Sequence, residues 1–420
     1  MGTDQPETNT ITAGMDRKNS RIFASSNMLI YFASPVVYVG IAQAALCDKL
    51  GASATVANLP ASAYFFGFFA PVLLAWLIPY RLEKSAVVTA NLVTSSSLVL
   101  VALSLFLPFE DGFRLVAVIG QGLILGFADS ISIVYMYQCL NRGTNLPARA
   151  KALKWSFSLG PLFAVAGNLL AQFILSGGIA SLPHPTDFAV LYLIASVCTA
   201  GVAVLSSQYE LISISSIKEP FLQSMRATVR SFLHSRTLAL LWLAYLLFFI
   251  ALNAMTNLSL YSREALGEDP KEFAGYMNAL RFGFKAITGF GLGLILARWG
   301  IRAPLVTTVL LVATGILWAW TVPGYFYLLA FGLLGGGELG GAYFPNYVVS
   351  ISSPATSARN LAFLTLVTPI SSFAPLIYGA LTDSYGFSAS FILGVSIALL
   401  ALWLVFRLPT QARERVVSSE

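Results

Sequence analysis

The chain reads as an all-α membrane protein, with twelve transmembrane helices in two pseudo-symmetric six-helix bundles. Three observations predict this class: the composition, the count of apolar runs, and the alternation of basic residues between loops. Hydrophobic residues make up 57% of the 420 and charged ones 10%, where soluble globular proteins carry roughly 25% charged residues. A surface so poor in charge faces lipid rather than water.

A run of about 20 apolar residues spans a bilayer as a helix, because every backbone polar group is then satisfied within the segment. Six such runs in the first part of the chain lie at 27–47, 54–78, 85–107, 113–140, 155–176 and 188–206. Six more lie at 237–259, 271–297, 304–322, 325–350, 359–382 and 388–406. They define spans 1 to 12. The longest polar interruption, 207–236, carries four basic residues mixed with Leu, Phe and Met, which predicts a partly helical linker on the membrane surface. The organisation is thus a tail (1–21), a bundle (22–206), a linker (207–236), a second bundle (237–406) and a tail (407–420).

Basic residues set the orientation. With the N-terminus inside, the inner segments hold 19 of the 25 Lys and Arg, among them Arg17, Lys18, Arg142, Lys151, Arg230 and Arg415. The outer loops hold Lys49, Arg114, Arg263 and Lys271, while Arg281 and Lys285 fall inside a span. Both termini are therefore expected in the cytoplasm, with the protein multi-pass in a plasma membrane, the inner membrane if the cell is bacterial. The net charge of +6 is then a topology signal, and no nucleic-acid patch accompanies it. Cys47, Cys139 and Cys198 sit in three different spans and read as small apolar thiols. The polar first 20 residues lead straight into a full-length span, unlike a cleavable signal peptide.

The halves repeat each other. Phe66 to Ala70 reads FGFFA in span 2 and Phe282 to Ala286 reads FGFKA in span 8. Gly126-Phe127-Ala128-Asp129 in span 4 matches Gly335-Gly336-Gly337-Glu338 in span 10, and Gly160-Pro161-Leu162 in span 5 matches Ala374-Pro375-Leu376 in span 11. Corresponding matches in the same order are the mark of an internal repeat.

Twelve spans in two parallel repeats, joined by a long basic linker, resemble the major facilitator superfamily of secondary transporters over residues 22–406. The loop after span 2, AWLIPYRLEK, is similar to that family's loop motif at Arg81 and Lys84, with Pro79 at the aspartate position. The copy after span 8, GLILARWGIR, keeps Arg298, Gly300 and Arg302, and GALTDSYG at the end of span 11 carries Asp383. The resemblance implies conformational roles for these residues, a central cavity lined by spans 1, 4, 7 and 10, and side walls from spans 2, 5, 8 and 11.

The run FGLLGGGELGGAYFPNY raises the chemical question, because Glu338 lies in the middle of it. Subtracting loops and termini leaves four ionisable residues well inside spans: Asp129, Arg281, Lys285 and Glu338. Each would cost roughly 2.5–3.5 kcal/mol at a lipid-facing helix centre, so all four are expected to face the interior. At about 1.5 Å per residue, all sit roughly 15–24 Å from the outer ends of their spans.

Three uses are open. Glu338 can pair with Lys285 as a structural link, Glu338 or Asp129 can carry a proton, or Arg281 and Lys285 can bind an anion. Asn253, Asn257, Tyr135, Tyr343 and Tyr347 are further candidates for holding a substrate by hydrogen bonds. Their alternative use is helix packing.

Enzyme chemistry has little footing. His184 and His234 fall in loops on opposite sides, and there is no GxxxxGK[ST] phosphate cradle. No cofactor or metal is expected. The preferred reading is a monomeric proton-coupled transporter of a small organic anion. A multidrug-type proton-antiport exporter and a non-transporting receptor on the same fold are the alternatives.

Overall fold

The structure, a computed structural model, describes residues 10–71, 82–179, 182–212, 229–230, 232, 234–352 and 354–410, with the backbone alone at 354–359. Among the described residues twelve helical spans follow in the predicted order, so span 1 begins and span 12 ends on one face, the terminal face, opposite a distal face. Among the described residues, nine helices are long and apolar enough to cross a membrane. The other three spans have local explanations. Span 2 (Ala54–Gly67) runs into undescribed residues, and spans 1 and 10 are broken.

Span 1 starts at Ala13, inside the predicted tail, with the Thr12 hydroxyl accepting from the Met15 N–H at 3.2 Å. Its polar residues pack instead of facing water. Asn19 is fully buried and donates to the carbonyls of Gly143 and Glu210 at 2.7 and 2.8 Å. After Phe32 the span continues as Ser34–Val37 and Ile41–Lys49. Pro35 lacks the N–H that would continue the ladder, and Gly40 takes φ +150°, which side chains rarely adopt. Gln43 repairs the break by accepting from the Gly40 N–H at 3.1 Å and donating to the Val36 carbonyl at 2.5 Å. Such repair is what non-helical backbone at membrane depth requires.

The remaining spans of the first half are Glu83–Phe106, Asp111–Gly143, Leu146–Leu175 and Thr186–Ser206. In the second half, span 7 is Arg236–Leu252 and Ala254–Leu266, broken at Asn253. Spans 8 and 9 are Ala274–Trp299 and Ala303–Thr321. Span 10 is Leu329–Gly337 and Gly340–Ile351, broken at Glu338. Span 11 runs from Pro354 to Tyr385 in three pieces, and span 12 is Phe387–Phe406. Much of the predicted linker lies outside the described residues.

Packing repeats between the halves. Span 3 packs on spans 4 and 6 as span 9 packs on 10 and 12, and span 2 packs on span 4 as span 8 packs on span 10. Between the halves, span 2 meets span 11 and span 5 meets span 8, as a two-fold relation requires. The outward faces are apolar: Ile287 is 73% and Phe290 76% exposed, a surface that suits hydrocarbon. Cys47, Cys139 and Cys198 are free and buried.

Candidate functional site

A cavity of about 360 Å³ lies between the halves, reaching from Phe23 and Phe157 towards the terminal face up to Tyr38, Gly40 and Ile41. Its distal end is closed by polar contacts across the halves. Arg263 grips Asp48 with two hydrogen bonds of 3.0 and 2.6 Å, Lys49 pairs with Asp269, and Lys271 reaches Asp187 at 3.3 Å. The Lys49 ammonium holds the Asp269 carboxyl below the usual aspartate range. Asp383 accepts from the N–H groups of Ala54 and Thr55, both at 2.9 Å, capping span 2 from the opposite half. Gln172 of span 5 accepts the Gly275 N–H of span 8 at 2.9 Å. Among the described residues, the polar contacts on the terminal face run within one half, as in Lys18–Glu210 and Arg142–Glu83. Among those residues the cavity is thus sealed on the distal side and not on the terminal side.

Glycines position its charges. A Cβ on Gly335 would lie 2.0 Å from the Arg281 carbonyl oxygen, and one on Gly336 would meet the Thr288 hydroxyl at 2.6 Å. Only glycine lets span 10 approach span 8 so closely. Glu338 follows Gly335 at i+3, on the same helix face. Its Oε1 accepts from Arg281 Nε and its Oε2 from Lys285 Nζ at 3.0 Å. The carboxylate is 8% exposed and the two cations 13% and 20%. Both cations also lie over the Phe282 ring, at 5.5 and 5.7 Å from its centroid. That ring packs edge-on against Tyr31 and Tyr38 of span 1.

The first half uses the same scaffold. A Cβ on Gly126 would lie 2.0 Å from the Tyr64 carbonyl oxygen, and Asp129, again at i+3, accepts from the Tyr64 hydroxyl at 2.6 Å. Tyr64 thus takes the place of Arg281, one residue off the register of the FGFFA and FGFKA match. The two carboxylates face one cavity.

Asp129, Arg281, Lys285, Glu338 and Asn253 line that cavity. Asn253 also donates to the Ser371 carbonyl at 3.3 Å. The other predicted substrate residues lie elsewhere. Asn257 is buried beneath the distal seal, donating to Thr382 at 2.8 Å and accepting from Asn58 at 3.1 Å. Tyr135 is buried in an apolar cluster with Phe23 and Met136. Tyr343 packs against the core of the second half, and Tyr347 is fully buried with its hydroxyl donating to the Pro409 carbonyl at 2.9 Å. Helical phase explains this: Tyr135 is about 240° round from Asp129, and Tyr347 about 180° from Glu338. Residues at i+4 and i+8 from Asp129, Ile133 and Tyr137, do line the cavity.

Of the loop candidates, Asp383 ties the two halves together, whereas the other described ones make contacts within one half. Lys84 donates to the Tyr209 carbonyl at 3.3 Å, and Arg302 to those of Phe406 and Leu408 at 3.2 and 2.9 Å. Arg298 stacks over Trp299, and Gly300 ends span 8 with φ +79°. Arg81 lies outside the described residues.

No protein-family model and no curated protein matches the chain. Solved structures do. A D-xylose–proton symporter shares 13% identity over 93% of this chain and 98% of its own, with a TM-score of 0.71. The nucleoside transporter NupG shares 14% over 94% and 98%, with a TM-score of 0.67. A bacterial homologue of the human lysosomal transporter Spinster, inward-facing and unoccupied, shares 14% over 94% and 97%, also at 0.67. With its two repeated six-helix bundles and a charged cavity between them, the chain has the fold of the major facilitator superfamily.

Proposed function

We propose that the protein is a transporter that carries a small organic anion by proton-coupled alternating access. One observation carries the anion reading: Arg281 and Lys285 converge on a single carboxylate, Glu338, on a cavity wall. The three groups sum to one positive charge when ionised. A ligand carboxylate or phosphate can share the two cations with Glu338, using the charge-assisted geometry already present. The cavity volume of about 360 Å³ suits a small molecule. Transport is supported by the seal, whose cross-half contacts are small polar contacts rather than a continuous apolar interface, and such contacts can exchange for others on the opposite face. The excess of basic residues in alternate loops supports cytoplasmic termini, so the cavity would open inward. The similarity to solved transporters supports transport over enzyme chemistry.

The test is uptake of labelled benzoate, lactate and small organic phosphates into proteoliposomes under an imposed proton gradient. Anion uptake that disappears in Arg281→Ala is the expected result. A second reading, proton-antiport export of amphiphilic cations, draws on the aromatic walls of Phe65, Phe68 and Phe249 and on the carboxylate of Asp129. Tetraphenylphosphonium efflux that survives Arg281→Ala, with no anion uptake in the wild type, favours that alternative.

A further inference from the structure

We propose that Asp129 is the carboxylate that takes up and releases the proton, with Tyr64 tuning it, while Glu338 stays ionised as the anchor of the cation pair. This rests on the proton-coupled reading above. The warrant is the repeated scaffold. Gly126 against Tyr64 and Gly335 against Arg281 are the same close approach, and each sets a carboxylate three residues on. The two copies differ in what the carboxylate meets.

Glu338 is held by a guanidinium and an ammonium, and two cations at hydrogen-bond distance favour the charged form. Asp129 meets a neutral phenol. Among the described residues no Lys or Arg forms an ion pair with it. The groups that face it are Tyr64 from span 2, Tyr38 from span 1 and, across the cavity, Arg281, Lys285 and Glu338. On the far side of span 4, span 3 offers Asn91, which donates to Ser132. Arg281 is also within electrostatic range of the Tyr64 hydroxyl, so the two sites sense each other through Tyr64.

The charges balance. With both carboxylates ionised, Arg281, Lys285, Glu338 and Asp129 sum to zero. The Tyr64 hydrogen bond occupies Asp129 Oδ2, so a proton from cavity water adds to Oδ1. The cavity then carries +1, which one monoanion on Arg281 and Lys285 neutralises. Proton and anion each favour the other's binding and travel in the same direction.

The experiment is a pH titration by infrared difference spectroscopy of the purified protein in liposomes, read at the protonated-carboxyl C=O stretch. It needs no cargo, so failure to find a transported anion and failure of this assignment are separate results. A carboxyl band that grows as pH falls, vanishes in Asp129→Asn and persists in Glu338→Gln is expected. Loss of the band in Glu338→Gln with retention in Asp129→Asn, or no titrating band in the wild type, overturns the assignment. Should Asp129→Asn fail to fold, Tyr64→Phe decides. Losing a donor to the ionised carboxylate is expected to shift the band's frequency and raise its midpoint by about one pH unit, and an unmoved band is contrary evidence.

Discussion

Glu338 shows how removing one member of a charge cluster differs from removing all of it. Glu338→Gln strands Arg281 and Lys285 on a largely buried wall, a change that costs about 3–5 kcal/mol in comparable sites. Thermal unfolding in detergent should show it as a clear drop in Tm. Replacing all three residues with Met should recover most of that drop while leaving anion binding abolished, because an apolar cluster of similar volume has no desolvated charge to satisfy. The four intramembrane charges are legible in the sequence by subtraction, since nothing else ionisable lies deep in a span. The partner of Glu338 is legible only in part. Lys285 is expected from depth, whereas Arg281 joins because Gly335 brings span 10 against the Arg281 backbone itself. Tyr64 carries no charge, so nothing marks it in the sequence beyond its place just before FGFFA. Phe282 is likewise silent there.

Between elements, the decisive quantity is how close two helices come. Gly335→Ala and Gly126→Ala would each put a methyl about 2 Å from a neighbouring backbone carbonyl, which no rotamer change can relieve. Overpacking of this kind costs about 1–3 kcal/mol or more. Both variants should lower Tm, and both should weaken anion binding measured by isothermal titration with benzoate. Gly341→Ala, with nothing within 4 Å of its added methyl, is the control and should leave both unchanged. The spans themselves are legible as apolar runs, but their breaks are not. An apolar run scores the same whether or not its ladder is interrupted, and the interruptions in spans 1, 7 and 10 depend on single residues such as Pro35, Gly40 and Asn253. Helical phase counted from Asp129 and Glu338 separates Tyr135 and Tyr347 from the cavity.

For the whole molecule, the distal seal sets which face is open. Asp383→Ala removes the cap on the N-terminus of span 2, a loss of about 0.5–2 kcal/mol, so the distal-open population should rise by up to about thirtyfold. Spin-label distances between the distal ends of spans 2 and 11 measure this directly. Acid acts on the same seal through Asp269. Its carboxyl is depressed in the folded protein by Lys49, so its contribution is complete above the unfolded value of about 3.9. It is lost only as pH falls through the lower folded value. The carboxylate is about a third exposed, which keeps that contribution under about 1 kcal/mol. The part of those distances that Asp269 controls should therefore hold steady at neutral pH and lengthen only below about 4. Span count is legible in the sequence because lipid acts on each segment separately. The open face is not, because it follows from polar contacts between the two halves that no single segment encodes.

The three native thiols bear on how such motions can be watched. Cys47 lies two residues from the Lys49 contact, yet it is fully covered and close to Tyr192 in its own half. Rocking one rigid half against the other leaves that cover in place, and Cys139 is equally covered. An impermeant maleimide should therefore find almost nothing to label in the wild-type protein, whichever face is open. The unmodified chain would serve as its own blank, and a single cysteine introduced at Ser53 or Thr55 would report the opening of the seal as labelling rate alone.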